Sequence, residues 1–329
     1  MKFPILILFF LSPLALLGHP SWGILIDQSG NILFSDLEHV WQISPDGKLT
    51  KRLPDVHTHN LFLDQNGSLF GSDSKYYEPR DEWTNRLWKL NKEGELEDVI
   101  PWVKDFESFG GTNFSITGEG AIIFPFENQL FRRTESGNIQ PFSDFTFGRL
   151  CTMVPDQNGG VLVSDSSDDG KLYRVDSSGQ VQLIAQGLKE QQPKNPPLKE
   201  ARFNLFYGIT VQDDQIFVSN SGSRRILQIE SDGSFKEYFK SDPPWYPVGI
   251  YFHKEGVYIL EWGFRLRNLG PRILRKNKAG EFAEIYNHKT RQVNLSLNPS
   301  PSGQAFPFKC LGLLAFLVIC LLYFKLKKS

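Results

Sequence analysis

The chain has 329 residues, 40% of them hydrophobic and 13% aromatic, with a formal net charge of −1. That length holds one large all-β domain or two ordinary ones. Near-zero charge with no basic cluster in the body of the chain argues against nucleic acid as a partner, since phosphate binding needs a concentrated positive surface.

The first segment, residues 1–18, reads MKFPILILFFLSPLALLG. One early lysine, an apolar stretch of about a dozen residues and the small Gly18 form the layout of a secretory signal peptide. An uncleaved anchor is the alternative, although the stretch is short for spanning a bilayer. Three cysteines occur, Cys151, Cys310 and Cys320. The last two belong to the apolar C-terminal segment, so the outer domain holds one thiol and no internal disulfide. Acceptor triplets for N-glycosylation stand at Asn66, Asn113 and Asn294.

From residue 19 to residue 287 one unit recurs six times. Each copy has an apolar strand, a tight polar turn, a second apolar strand that often ends in an acid or amide, and a third strand opening on a paired apolar motif. The third strands read VWQI at Val40, LWKL at Leu87, LFRR at Leu130, LYRV at Leu172, ILQI at Ile226 and ILRK at Ile273. A glycine follows each: Gly47, Gly94, Gly137, Gly179, Gly233 and Gly280. Those positions suit the positive φ of a hairpin turn. The second strands end at Asp36, Asp73, Phe126, Asp165, Asn220 and Glu261. The glycines recur every 42 to 54 residues, the length of a four-stranded blade. A lone sheet of this kind cannot bury both faces, whereas six set radially cover one another and form a continuous core. The expected fold is an all-β, six-bladed β-propeller followed by a single C-terminal transmembrane helix.

The fifth unit, YGITVQDDQIFVSNSGSRRILQIESDG, resembles an NHL repeat in its G-I-x-V opening, its apolar strand with Asn, its R-I pair and its D-G turn. The other units match more loosely, and the six together run from Gly23 to Tyr286. The chain thereby resembles the broad group of NHL-repeat, gluconolactonase-like and strictosidine-synthase-like propellers. The resemblance implies a fold but no single activity, because that architecture hosts hydrolases, lyases and binding proteins.

Residues 288–309, rich in Asn, Ser and Pro, read as a flexible stalk. Residues 310–324, CLGLLAFLVICLLYF, rise about 22 Å as a helix. With Phe306 to Lys309 included, the span approaches the roughly 30 Å of a hydrocarbon core, with lysines at both ends free to snorkel. The basic tail at 325–329, KLKKS, is then cytoplasmic and the propeller extracytoplasmic. Membrane anchorage by one helix is the resulting expectation.

Short turns join the first and third strands to their successors. The long segments, Ser74–Asn85, Pro101–Gly110, Ala185–Leu205 and Trp262–Arg272, all fall on the opposite face, where irregular loops concentrate function. That loop face carries Tyr76, Tyr77, Trp83, Trp102, Phe106, Trp245, Tyr246, Trp262 and Phe264, with Arg80, Arg265 and Arg267 among them. Such aromatics suit stacking on a sugar, gripping an apolar ligand or seizing a protein; a hydrophobic lid over the blade tops is the alternative. Residues heading the first strands should ring the channel mouth: Trp22, His59, Thr112, Cys151, Tyr207 and Val248. Two positions earlier lie His57, Arg149 and Tyr246 among others.

His57 and His59, spaced by two on a strand, point the same way. They suit metal coordination, proton transfer or a hydrogen-bonded structural role. Glu261, flanked by Trp262, is a third acid–base candidate, since burial raises a carboxyl pKa. The recurring second-strand acids suit capping of loop N–H groups or pairing with arginine. The resemblance to gluconolactonase-like proteins implies a Glu and an Asn–Asn–Asp set around a divalent cation, and the matching column here has no carboxylate. No cofactor or metal is therefore expected, and a divalent cation stays open only without that ligand set. Cys151 reads as a small buried thiol. Two functions follow: a membrane-tethered propeller that binds a small-molecule or protein ligand through its aromatic loop face, or a hydrolase or lyase acting on small sugar-like or lactone substrates at the channel mouth. A spacer without a pocket is a third.

Overall fold

A computed structural model describes residues 20–296 apart from 105–107, 112, 157, 190–203, 255 and 265–267. The chain divides into a compact unit that ends at Ser296 and a second that begins at Leu297. The second unit and residues 1–19 lie outside the described residues, so the signal peptide, the transmembrane helix and the basic tail do too. Among the described residues no helix is long and apolar enough to cross a membrane.

Six antiparallel sheets follow one another along the chain, each built from consecutive strands. Blade 1 holds β1 (Ile24–Ile26), β2 (Ile32–Ser35), β3 (His39–Ile43) and β4 (Leu49–Pro54). Blade 2 holds β5 (Leu61–Leu63), β6 (Leu69–Tyr77), β7 (Glu82–Leu90) and β8 (Leu96–Val103). Blade 3 holds β9 (Ser115–Ile116), β10 (Ile122–Phe126), β11 (Gln129–Arg133) and β12 (Ile139–Pro141). Blade 4 holds β13 (Leu150–Pro155), β14 (Val161–Asp165), β15 (Lys171–Val175) and β16 (Val181–Gln186). Blade 5 holds β17 (Phe206–Gln212), β18 (Gln215–Asn220), β19 (Arg225–Ile229) and β20 (Phe235–Lys240). Blade 6 holds β21 (Trp245–His253), β22 (Gly256–Phe264), β23 (Asn268–Lys276), β24 (Phe282–Asn287) and β25 (Gln292–Val293). This is a six-bladed β-propeller, with every third-strand motif in the third strand of its blade.

The six glycines after the third strands take φ of +83° to +91°. Each allows the hairpin to turn where a side chain would be strained. The blades pack face to face through apolar layers. Leu33 and Val40 of blade 1 meet Leu69 and Trp88 of blade 2, and Phe70 and Leu87 meet Phe114 and Phe124 of blade 3. Burial of these layers supplies the main favourable term.

Among the described residues no strand is exchanged where the ring closes. Blade 6 meets blade 1 through close packing at the axis, where a Cβ on Gly249 would lie 2.6 Å from the Trp22 carbonyl. Further out, Phe34 packs on Tyr286 at 4.8 Å between ring centroids. Residues 288–296, expected as the start of a flexible stalk, extend this seam. β25 pairs with β24, Arg291 lies over the Trp41 ring at 4.7 Å, and Leu295 packs beside Gly47. The sequence marked this stretch as polar and aperiodic, but a two-residue strand leaves no periodic signature.

A second difference bears on the loop face. Ser74–Asn85, expected as an irregular loop, is a continuation of the β6–β7 ladder as far as Tyr77↔Glu82, closed by a single 3-10 turn at Glu78–Arg80. Tyr, Thr and Trp favour the pleated conformation, and the pairing satisfies the backbone groups that a loop would leave to water.

Candidate functional site

The first strands surround an axial cavity of about 280 Å³, lined by Trp22–Leu25, Asn60–Leu63, Thr152, Val154, Pro155, Gly208–Thr210 and Gly249–Tyr251. Of the predicted mouth residues Trp22 lines this cavity and joins His59 and Tyr207, whereas Val248 is wholly buried. Trp22 stacks on His59 at 5.2 Å and meets Tyr207 at 5.7 Å, while His59 meets His57 edge-on at 4.9 Å. These side chains come from the heads of blades 1, 2 and 5. The indole N–H of Trp22 and the hydroxyl of Thr152 are both buried and have no hydrogen-bond partner among the described residues. A buried donor left unpaired costs about 1–3 kcal/mol, so a ligand that pairs with it recovers that cost.

The histidines are held in a defined tautomer. His57 Nδ1 lies 3.1 Å from the Leu37 carbonyl, and His59 Nδ1 lies 3.2 Å from the Pro20 carbonyl. A carbonyl only accepts, so each Nδ1 carries a proton toward it, and in a neutral His57 ring that leaves Nε2 as the basic nitrogen. Burial lowers the pKa of His57 against the opposing pull of the Leu37 carbonyl and Asp73. The ring is therefore neutral at physiological pH. Burial likewise pushes up the Tyr207 hydroxyl, which stays protonated.

The second-strand acids act as clips on the segments entering each blade. Asp165 accepts the backbone N–H groups of Gly148 and Arg149, both at 2.8 Å, and of Ser167 at 2.7 Å. Burial works to raise its pKa, but the hydrogen bonds from Ser167, Gly148 and Arg149 prevail and hold the carboxyl below its usual range. Arg149, exposed beside the mouth, is thereby fixed in its backbone course. Asp73 accepts the His57 N–H at 2.9 Å and pairs with Arg86 at 3.1 Å. Asp36 accepts the Trp41 indole N–H at 2.6 Å. Arg225 of blade 5 meets Glu237 at 2.9 Å.

The remaining candidates separate. Glu261 is wholly buried and bound to Arg272, whose guanidinium lies 4.3 Å from the Trp245 ring centroid. Burial raises its pKa while Arg272 lowers it, and burial prevails. Its nearest charged partner is thus an arginine in its own blade, not the histidine pair. Trp262, expected as an exposed ligand-binding aromatic, is wholly buried within blade 6, opposite half-buried Tyr246 in the ladder. Burial of an indole is the larger energetic prize, and a position flanked by a long segment gave no sign of it. Trp83 is exposed as expected: it is 46% exposed and lies 5.0 Å from Tyr76 on the β6–β7 hairpin. Thr112, Phe106, Arg265 and Arg267 lie outside the described residues, as does the side chain of Phe264.

Sequence reasoning also missed the network around Cys151. Its thiol lies 2.8 Å from Ser166 Oγ, and burial pushes its pKa up. Asn113, one of the acceptor triplets, is buried; it donates to the Cys151 carbonyl at 2.9 Å and accepts from the Met153 N–H at 3.3 Å. Among the described residues no group of three or more His, Cys, Asp or Glu side chains converges as a metal site would require.

No family model and no curated protein sequence matches the chain. Solved structures do. Virginiamycin B lyase from Staphylococcus aureus is similar at 16% identity and a TM-score of 0.52, over 80% of this chain and 83% of that one. A protein described as a gluconolactonase is similar at 15% identity and 0.53, over 78% and 89%. A chain of the nidogen/laminin complex is similar at 13% identity and 0.57, over 80% and 95%. The likeness is one of fold. Its members include a lyase and a protein of a laminin complex, so the propeller alone selects neither chemistry nor binding.

Proposed function

We propose that the protein is a membrane-anchored, extracytoplasmic β-propeller that binds a ring-bearing ligand or a protein at the aromatic mouth of its loop face. The observation that carries this reading is Trp22, stacked on His59 and in ring contact with Tyr207, with its buried N–H unpaired among the described residues. The apolar segment at 310–324 with its following lysines supports the anchor, and the leader at 1–18 supports export. The test is a ligand screen on the full-length chain in detergent, read by tryptophan fluorescence. Trp22→Phe keeps the ring and removes the N–H, so it should weaken any mouth ligand about five- to fiftyfold, while Trp22→Ala should abolish binding. Equal affinity in all three proteins would refute the reading.

The tautomer of the two histidines favours a second reading, a hydrolase or lyase with His57 or His59 as general base. A neutral imidazole with its other nitrogen anchored is the form that accepts a proton. A histidine-to-alanine variant of the similar virginiamycin B lyase is catalytically inactive. On this reading the chain turns over a lactone, ester or uronate, and the joint change His57→Ala, His59→Ala silences it. Activity that persists in the double variant would remove both histidines from the mechanism.

A further inference from the structure

The first strands of neighbouring blades are joined at one rung of the ring. The residue after each mouth position is, in blade order, Gly23, Asn60, Asn113, Thr152, Gly208 and Gly249. At the glycines the strands meet directly. A Cβ on Gly208 would lie 2.8 Å from Gly249 Cα, and one on Gly23 would lie 2.7 Å from the Leu61 nitrogen. The amides bridge to the next blade instead. Asn60 donates to the Phe114 carbonyl at 3.4 Å, and Asn113 donates to the Cys151 carbonyl at 2.9 Å and accepts from the Met153 N–H at 3.3 Å. Thr152 breaks the series. It is buried, yet its hydroxyl has no partner among the described residues.

Thr152 also lines the axial cavity of about 280 Å³, and so does Trp22, whose indole N–H is likewise buried and unpaired among the described residues. Two other hydroxyls of the wall are committed. That of Thr210 donates to the Ile250 carbonyl at 2.5 Å, and that of Tyr251 to the Ile26 carbonyl at 3.4 Å. Ile24, Leu61, Phe62, Val154, Ile209 and Ile250 supply apolar surface. Among the described residues no acid, lysine, arginine or histidine lines the space.

We infer that this cavity binds a compact, uncharged hydrocarbon ring that carries one carbonyl, with the Thr152 hydroxyl as donor to the carbonyl oxygen. This rests on the loop-face reading and gives the ligand at Trp22 a seat and a chemical class. An ion would lose its hydration here with no counter-charge in the wall. A sugar would bring more hydroxyls than the wall has uncommitted polar groups, and each one left unpaired costs binding. An indole N–H only donates and a threonine hydroxyl can donate, so a ligand acceptor satisfies either. A cavity of about 150 Å³ takes benzene, so this one suits a molecule of about ten to twelve non-hydrogen atoms.

The test is isothermal titration of the full-length chain in detergent with camphor, a bicyclic ketone of that size, against its hydrocarbon counterpart bornane and against glucose. Camphor should bind about fivefold or more tightly than bornane, and glucose should not bind. Thr152→Val removes the unpaired hydroxyl at nearly constant shape. The unliganded variant should melt no lower than wild type, while its preference for camphor over bornane falls about threefold or more. Val154→Phe fills the space and should abolish camphor binding; Thr152→Val carries the test if that variant does not fold. No camphor bound, camphor and bornane bound alike, glucose preferred, a preference untouched by Thr152→Val, or binding that survives in folded Val154→Phe each overturns the inference. Camphor binding that is lost in Trp22→Ala but blind to both Thr152→Val and Val154→Phe would sink the cavity alone and leave the mouth standing.

Discussion

Asp165 is the point at which the clip geometry is most open to attack. Its carboxylate holds three backbone N–H groups at 2.7–2.8 Å, and two of them belong to the segment that carries Arg149 to the mouth. Asp165→Ala leaves all three N–H groups without their acceptor. An unsatisfied donor costs about 1–3 kcal/mol when buried. Gly148 and Arg149 are exposed enough for water to replace part of the loss, so the net destabilisation should be about 2–3 kcal/mol. In a domain of this size that lowers Tm by about 4–12 °C. The pH dependence has a definite sign. Asp165 binds its proton less readily in the folded state, so the unfolded chain takes up more protons on acidification. Its stabilisation is complete above the ordinary carboxylate range and disappears as pH falls through the lowered folded-state pKa. Urea unfolding of wild type and Asp165→Ala at neutral pH and at successively lower pH reads both effects. A difference under about 0.5 kcal/mol at neutral pH, the size of an ordinary surface change, would refute the clip. So would a difference that stays constant into acid.

Other consequences follow from the same geometry. Trp262→Ala should cost about 3–5 kcal/mol, the range for a buried aromatic, whereas Trp83→Ala should stay within about 0.5 kcal/mol; urea midpoints separate the two. Gly280 and Gly179 share a φ of +88°, but a Cβ on Gly280 meets nothing within 4 Å and one on Gly179 would lie 2.1 Å from the Phe142 carbonyl oxygen. Gly280→Ala should therefore cost only the backbone strain of about 1–2 kcal/mol, with Gly179→Ala clearly above it in thermal melts. Burial lowers the pKa of His57 and of His288. The unfolded chain then takes up their protons first, so stability is full above the ordinary histidine pKa and declines as pH falls below about 6.5. His288→Asn should flatten that decline between pH 7.5 and 5.5, and an unaltered slope would contradict the assignment.

What the sequence made legible is what repeats. The six glycines and the paired third-strand motifs are local, recur at blade length, and each maps to a single conformation. Alternation along the first strands likewise brought Trp22, His59 and Tyr207 within reach of one another, and their rings are in contact. Features that depend on neighbours were not. Ser74–Asn85 lacks a hydrophobic alternation because its ladder stands above the blade core, so it reads as a loop. Trp262 is as aromatic as Trp83, and only the packing of blade 6 decides which is buried. Residues 288–296 act through contacts to Trp41 and Gly47, more than 240 positions earlier, which no local pattern reports.

Hydrogen–deuterium exchange of the full-length chain, with and without a ligand that it binds, puts the loop face itself to the test. Slowed exchange at residues 20–23, 57–60 and 74–84 is the predicted footprint. Protection confined to the opposite turns, around Gly30 and Gly67, would place the ligand on the wrong side of the ring.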